Sequence, residues 1–292
     1  MRIEKEADLT NYTTIKIGGK ASFLCFPSTY EEVYHAISFA QDKDLPVFFL
    51  GRGSNTIFGD YKGVVIVTRE LREMKVRREG DKVYVSAECG VLLSQLIKLA
   101  VDMNLQGIYR LAGFPATVGG AVAMNAGAFG CEISQHIKSL LVMAWDGTIE
   151  RFSAEELSFG YRSSPFPKMG IVLRADFEFD IADFDVKNEY QLIKERRKRT
   201  QPINMPTSGS TFKNPPGTYA GELLEKVGMK GYRVGDTALS DLHANFLVNL
   251  GRGKFTEVIK ILQEAKKRVY EEFGIELEEE VRLIESCGAY GR

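Results

Sequence analysis

The sequence predicts an α+β protein built from more than one lobe, on three observations. Apolar runs of strand length alternate with amphipathic stretches of helical period along the chain. At 292 residues the chain is too long for one small core, so two or three domains are expected. Hydrophobic residues at 44% and charged residues at 26% are those of an ordinary soluble globular protein.

Composition also narrows function. A net charge of −1 provides no overall field to draw in nucleic acid or an anionic membrane, so neither is an expected partner. The opening MRIEKEADLTNYTTIKI has no apolar core of the signal-peptide kind, and no later stretch is long enough to span a bilayer. A cytoplasmic protein acting as a monomer is the expectation. Cys25, Cys89, Cys131 and Cys287 are scattered with no C-x-x-C pair, which argues against a zinc site or a disulfide framework and leaves buried free thiols. His35, His136 and His243 are equally dispersed, so no metal site is expected.

The first lobe is expected over residues 1–69. PSTYEEVYHAISFAQDKD reads as a helix with a capping box at Ser28 and Glu31 and an apolar stripe of Val33, Ile37 and Ala40. PVFFL at 46–50 reads as a buried strand, GRGSNTIFGD as a loop, and VVIV at 64–67 as a second strand. The second lobe, 70–193, holds a strand in DKVYVSAECG, a helix in VLLSQLIKLAVDMN and a strand in GIVLRADFEFD. Between them, SLLVMAWDGTIERF is a hairpin around Asp146-Gly147, a pair favoured in type I′ turns, followed by a second capping box at Ser153 and Glu156. IKERRKRTQP reads as a helix end running into a linker, its charge more simply a solvated helix end than a phosphate site. The third lobe, 194–292, carries the polar loop TSGSTFKNP, a helix beginning near Tyr219 and a strand in ANFLVNL. A long helix with Phe255, Val258, Leu262, Ala265, Val269 and Phe273 on one face stops at Gly274 and leads to a final strand.

Two glycine-rich loops stand out. GRGSN follows a strand, but Thr56 occupies the place of a dinucleotide fingerprint's third glycine and no obvious helix opens there, so that motif fails its context. What is left is a loop rich in backbone N–H groups, a generic anion cradle. LAGFPATVGGAVAMNAGAFG, residues 111–130, is dense in glycine and alanine, which lets another group approach the backbone closely; tight turns and helix packing are structural reasons for the same composition. Two such loops in a chain without an ATP signature point to a large phosphorylated cofactor.

GRGSN, GFPATVGGAVAMNAGAFG, YRSSPF, SGSTFKNP, HANFLVN and LEEEV occur in this order along nearly the whole chain. On these motifs the sequence resembles the UDP-N-acetylenolpyruvoylglucosamine reductases, also called UDP-N-acetylmuramate dehydrogenases, flavoenzymes of bacterial cell-wall synthesis. The resemblance implies a vanillyl-alcohol-oxidase-type FAD-binding fold, with two FAD-binding lobes and a C-terminal α/β substrate-binding domain. It implies reduction of the enolpyruvyl ether of UDP-N-acetylglucosamine to UDP-N-acetylmuramate, with NADPH as reductant. FAD would be wrapped by Gly51, Arg52, Gly53, Ser54 and Asn55 on one side. Gly113, Pro115, Ala116, Thr117, Gly119, Gly120, Asn125, Ala126 and Gly127 would complete its site. Neither loop offers a His or Cys suited to covalent attachment, so non-covalent FAD is expected.

By the same resemblance, hydride passes from reduced flavin N5 to the enolpyruvyl C3, Ser210 gives a proton to C2, and Arg162 and Glu280 stabilise the enolate. Glu280 would have to carry or share a proton to help an anion, a state that burial beside Arg162 and substrate could set. Lys213 and Asn214 match contacts to the UDP diphosphate or uridine, and His243 and Asn245 match the same pocket. Plainer readings stand beside these. Arg162 follows Tyr161 at what reads as a helix end and could cap it. Glu280 lies in the acidic run 276–280; in a strand over 275–284 it shares a side with Glu276, Glu278 and Arg282, opposite Leu277, Val281 and Leu283.

The family pattern is not matched throughout. Leu242 stands where a lysine commonly precedes the histidine, LEEEV replaces the common LEPEV, and the tyrosine-bearing loop of longer members is missing. The chain therefore looks like the shorter, second type, with a more open substrate channel. Two other classes remain open: an alcohol or sugar oxidase of the same flavin fold, and a nucleotide-binding regulatory protein that lost the chemistry.

Overall fold

The computed structural model describes residues 1–286, so Cys287 lies outside the described residues. In chain order, β1 (Arg2–Asp8) and β2 (Lys20–Phe26) lead to α1 (Tyr30–Gln41), β3 (Val47–Leu50), β4 (Thr56–Phe58) and β5 (Tyr61–Val67). There follow β6 (Met74–Glu79), β7 (Lys82–Glu88), α2 (Leu93–Asp102), α3 (Val118–Ala123), β8 (Gly127–Ala128) and β9 (Cys131–Glu132). Next are β10 (Ile137–Ala144), β11 (Ile149–Ser153), α4 (Phe166–Met169), β12 (Gly170–Asp180) and α5 (Val186–Thr200). The C-terminal third carries β13 (Thr207–Ser210), α6 (Ala220–Lys226), β14 (Arg233–Val234), β15 (Thr237–Leu239), β16 (Phe246–Asn249), α7 (Phe255–Phe273) and β17 (Arg282–Ile284).

By contacts the chain forms two units. One holds residues 1–4, 23–52 and 64–196; the other holds 5–22, 53–63 and the chain from 197. The segments expected as separate lobes at 1–69 and 70–193 thus fall mostly within one unit. Residues 194–292 supply most of the other, which also takes in two N-terminal segments.

β3 and β5 run parallel, in a sheet of order β1-β2-β5-β3. Val33, Ala36, Ile37 and Ala40 of α1 are buried in one cluster with Cys25, Val64 and Ile66. The cap of α1 sits one residue later than expected. Thr29 is the N-cap and accepts Glu32 N at 3.2 Å, while the Glu32 carboxylate takes the N–H and hydroxyl of Ser28 at 2.7 and 2.9 Å. The main sheet is antiparallel with order β11-β10-β12-β7-β6. Alternating Val83, Val85 and Ala87 of β7 share a core with Leu93, Leu96, Ile97 and Ala100 of α2.

The β10–β11 hairpin forms, but not through a type I′ turn. That turn needs positive φ at both central residues; here only Gly147 is positive, at +87°, and Ala144 N reaches Thr148 O at 2.8 Å across a longer loop. The helix end expected within 193–202 falls at Thr200, and the change of unit falls inside α5. Its basic end is not solvated throughout: Arg197 is 6% exposed, donates to Gln201 Oε1 at 3.0 Å, and is pushed down to about 10 by burial.

The second unit contains an antiparallel sheet of order β13-β16-β15-β14. Val258, Ile261, Leu262, Ala265 and Val269 of α7 are buried in one core with Leu239 and Leu247, and Gly274 ends the helix at φ +65°. Phe273, expected on that face, is exposed. The strand expected over 275–284 reduces to β17, paired in parallel with β4. Leu277 and Val281 are nevertheless buried, because the segment before β17 lies in the core with a single bridge from Glu279 to Phe212.

Cys25, Cys89 and Cys131 are free and buried, and burial pushes their thiols up to about 11, 12 and 11. No helix among the described residues is long and apolar enough to cross a membrane.

Truncating α7 distinguishes core from surface. Leu262→Ala is expected to lower unfolding stability by about 2–5 kcal/mol, and exposed Tyr270→Ala by no more than about 0.5 kcal/mol, both read from denaturant titrations. A pH dependence follows from His136, whose ring lies 5.1 Å from that of Phe179 and whose Nε2 lies 3.5 Å from Cys131 Sγ. Burial holds its pKa below the ordinary 6.5. As pH falls through about 6.5 the unfolded chain takes up this proton while the folded one does not, so stability declines until the folded pKa is passed. Urea unfolding between neutral and mildly acid pH should show that decline, and His136→Gln should reduce it to the part contributed by His243, whose pKa burial also lowers.

Candidate active site

The first glycine loop leaves β3 at Leu50 and enters β4 at Thr56, a strand–loop–strand passage with no helix. Gly51 has no room for a side chain, since a Cβ there would fall 2.3 Å from Thr117 Oγ1, which brings the two glycine loops into contact. Gly53 adopts φ +65°, and its Cβ would meet Tyr12 O at 2.3 Å. The carbonyls of Gly51, Gly53 and Asn55 are turned to protein donors: Arg69 Nε at 2.8 Å, Thr14 N at 3.1 Å and Arg282 N at 2.9 Å. These three carbonyls are thus spent on protein donors.

In the second loop, buried Thr117 caps α3 by accepting Gly120 N at 3.4 Å, and a Cβ on Gly119 would lie 2.6 Å from Cys89 Cβ. Ala116 O accepts Leu93 N at 3.0 Å, fixing the approach to α3. Gly113, Pro115 and Gly120 are exposed, and a Cβ on Gly120 would meet only Thr117 Oγ1 at 3.4 Å. Bare backbone is therefore open to a ligand beside the close contact with Gly51. These residues fit the pyrophosphate of a dinucleotide cofactor, which backbone groups can approach only where Cβ atoms are missing.

Arg162 does not end a helix. It occupies the second corner of a two-residue turn closed by Gly160 N to Ser163 O at 3.0 Å and Ser163 N to Gly160 O at 3.1 Å. Its φ of +52° is left-handed, a conformation that costs a residue with a Cβ about 1–2 kcal/mol. The strain persists because the turn is tied to the glycine loop at three points. Arg162 Nη2 donates to Gly127 O at 2.7 Å, Ser164 Oγ to Ala123 O at 2.6 Å, and Asn125 Nδ2 to Gly160 O at 2.9 Å. The guanidinium also lies 4.9 Å from the centre of the exposed Tyr161 ring. Ala126, between these anchors, is held by its own N–H to Ala121 O at 2.8 Å.

The segments bearing Ser210 and Glu280 lie side by side in the second unit. β13 gains one residue against β16 between Thr207 and Ser210, a bulge that Gly209 absorbs at φ +76° and that re-aims the half-buried Ser210. The next carbonyl, Thr211 O, accepts Glu280 N at 2.9 Å, and Asn55 Nδ2 donates to Glu280 O at 2.9 Å. One backbone network thus joins the end of the first glycine loop to the segments bearing the serine and the carboxyl. Arg162 belongs to the other unit.

The residues matched to substrate divide into two kinds. Lys213 is half-buried and ion-paired to Glu278, whose carbonyl also takes Lys213 N at 2.9 Å. His243 is half-buried, its pKa lowered by burial; Nδ1 accepts Asn245 N at 3.2 Å, which places the proton of the neutral ring on Nε2. The two asparagines also make contacts within the scaffold. Asn214 Oδ1 accepts Ala220 N at 3.1 Å at the start of α6. Asn245 is buried, and its amide brackets Phe212 by accepting its N–H at 2.9 Å and donating to its carbonyl at 2.8 Å. Motif position does not separate the kinds, because a side chain's burial depends on partners far along the chain. Among the described residues no group of His, Cys, Asp and Glu is placed to hold a metal ion.

Two family models match the chain. The profile described as FAD binding domain matches residues 21–153, and the one described as UDP-N-acetylenolpyruvoylglucosamine reductase, C-terminal domain, matches 201–284. The chain is 51% identical to the UDP-N-acetylenolpyruvoylglucosamine reductase of Aquifex aeolicus (strain VF5), across 98% of its own length and 97% of that protein's. It is 41% identical to the reductase of that name from Clostridium novyi (strain NT), across 94% and 90%. The crystal structure of UDP-N-acetylenolpyruvylglucosamine reductase from Thermus caldophilus aligns at a TM-score of 0.81 and 34% identity, covering 97% of this chain and 99% of that one. On identity of this level over essentially the full span, the chain belongs to the UDP-N-acetylenolpyruvoylglucosamine reductase family.

Proposed function

We propose that this protein is the FAD-dependent, NADPH-consuming reductase that converts the enolpyruvyl ether of UDP-N-acetylglucosamine to UDP-N-acetylmuramate in peptidoglycan precursor synthesis, acting as a cytoplasmic monomer. The family match over the full chain supports the reaction class. The observation that supports it is the backbone hydrogen bond from Glu280 N to Thr211 O at 2.9 Å, which sets the segment bearing Glu280 beside the one bearing Ser210.

When bound, FAD supplies the hydride, gained from NADPH and delivered to C3 of the enolpyruvyl group. This chain's residues manage charge and protons around that transfer. Ser210 gives its hydroxyl proton to C2, a contribution of about 10²–10⁴-fold for a placed acid. Serine is a weak acid, so the alkoxide it leaves relies on nearby donors, the Lys213 ammonium among them. Arg162, preset by its strained turn, stabilises negative charge building up beside the substrate carboxylate, where a fixed cation needs no reorganisation during reaction. Glu280 assists only while it holds a proton, since an ionised carboxylate would oppose the enolate. Lys213 and neutral His243, through Nε2–H, contact the nucleotide diphosphate. Asn214 and Asn245 hold the loop that presents them.

Ser210→Ala should leave flavin reduction by NADPH intact and slow re-oxidation by the enolpyruvyl substrate about 10²–10⁴-fold, read by stopped-flow absorbance of the flavin. Equal slowing of both half-reactions would remove Ser210 as the donor. Fast re-oxidation by air without substrate would instead favour an alcohol or sugar oxidase. Arg162→Lys keeps the charge but loses the planar fork, and should lower kcat about 10²–10³-fold with bound flavin unchanged.

A further inference from the structure

Asn125 was matched to the cofactor, yet its side chain does other work. It is 0% exposed, so no part of it faces space that a ligand could occupy. Both amide hydrogens are committed: Nδ2 donates to Glu132 Oε2 at 2.9 Å and to Gly160 O at 2.9 Å, while Oδ1 accepts Ser134 N at 3.4 Å. Gly160 O is the same carbonyl that closes the turn presenting Arg162. Asn125 itself holds a left-handed φ of +42°, a conformation that asparagine tolerates better than most residues. Glu132 stands across the β8–β9 ladder from Gly127, whose carbonyl takes Arg162 Nη2 at 2.7 Å. A Cβ on Gly127 would meet Glu132 Cγ at 2.9 Å and Arg162 Nη1 at 3.0 Å, so the carboxylate arm and the guanidinium flank one glycine.

We propose that Asn125, oriented by Glu132, is a positioning residue for Arg162. The amide holds the turn through Gly160 O, Gly127 O holds the guanidinium, and together they fix the left-handed corner at Arg162. Asn125 therefore acts on the reaction through Arg162, with no contact to cofactor or substrate. This inference rests on the reading of Arg162 as the charge-stabilising group.

The test uses FAD-loaded protein carrying Asn125→Asp, which keeps the size and loses both N–H donors. The oxidative half-reaction with the enolpyruvyl substrate should slow about 10²-fold, as for misplacement of a catalytic group. Flavin content and the NADPH half-reaction should stay near wild type, while the melting temperature of the holoenzyme falls, since the new carboxylate is buried against Glu132 and the Gly160 carbonyl. In the double variant with Arg162→Lys, the rate should be no lower than for Arg162→Lys alone, because both changes disable one device. Losses that multiply, or an NADPH half-reaction that falls in step, would overturn the positioning role while leaving Arg162 catalytic. A neutral Arg162→Lys would overturn the reading of Arg162 and this inference with it. Should Asn125→Asp fail to fold, Glu132 decides. Glu132→Gln, which retains an acceptor for Asn125 Nδ2, should preserve the oxidative rate and Glu132→Ala should lower it; equal rates for the two would overturn the proposal.

Discussion

Close approach of backbone at positions without a Cβ is the constraint on which both glycine loops depend. Gly51 lies against Thr117, Gly119 against Cys89, and Gly127 between Glu132 and Arg162, each at a distance that any side chain would violate. Such contacts are rigid because protein interiors resist even small volume changes. The bare loops therefore do two things at once. They leave the backbone of Gly113 and Gly120 exposed, and they bring the Arg162 turn within hydrogen-bond reach of Ala123, Asn125 and Gly127.

The two units solve a common problem in the same way. A functional side chain on a short irregular segment needs support that the segment cannot provide. In the first unit, buried Asn125 holds the carbonyl of the Arg162 turn. In the second, buried Asn245 holds both polar groups of Phe212, two residues beyond Ser210, and its carbonyl takes Thr211 N at 2.8 Å. Asparagine suits this use because one amide both donates and accepts. Left unpaired at these depths, the same groups would cost about 1–3 kcal/mol each. Satisfaction and positioning are thus one requirement.

The elements whose signals are local were legible in the chain. The stripe of α7, the alternation in β7 and the hairpin of β10 and β11 each follow from periodicity that neighbours in sequence supply. Where two neighbouring residues suit one role, sequence placed the feature slightly wrong: Ser28 and Thr29 both suit an N-cap, and Thr29 fills it while Ser28 bonds the Glu32 carboxylate. Arg197 shows a larger miss, because a basic run reads as solvated wherever the burying partner is distant in sequence.

The sequence by itself determined the family, the glycine-rich character of the cofactor loops and the identity of Ser210, Arg162 and Glu280 as the residues to examine, since six ordered motifs are local strings of residue types. Only the tertiary structure decided that Arg162 sits on a strained turn rather than a helix end, and that Asn125 and Asn245 are clamps whose polar atoms are spent inside the protein. The reason is physical. Residue type and spacing set what a segment can do alone, whereas burial and hydrogen-bond partners are set by segments 33 and 35 positions away, whose approach no local pattern encodes.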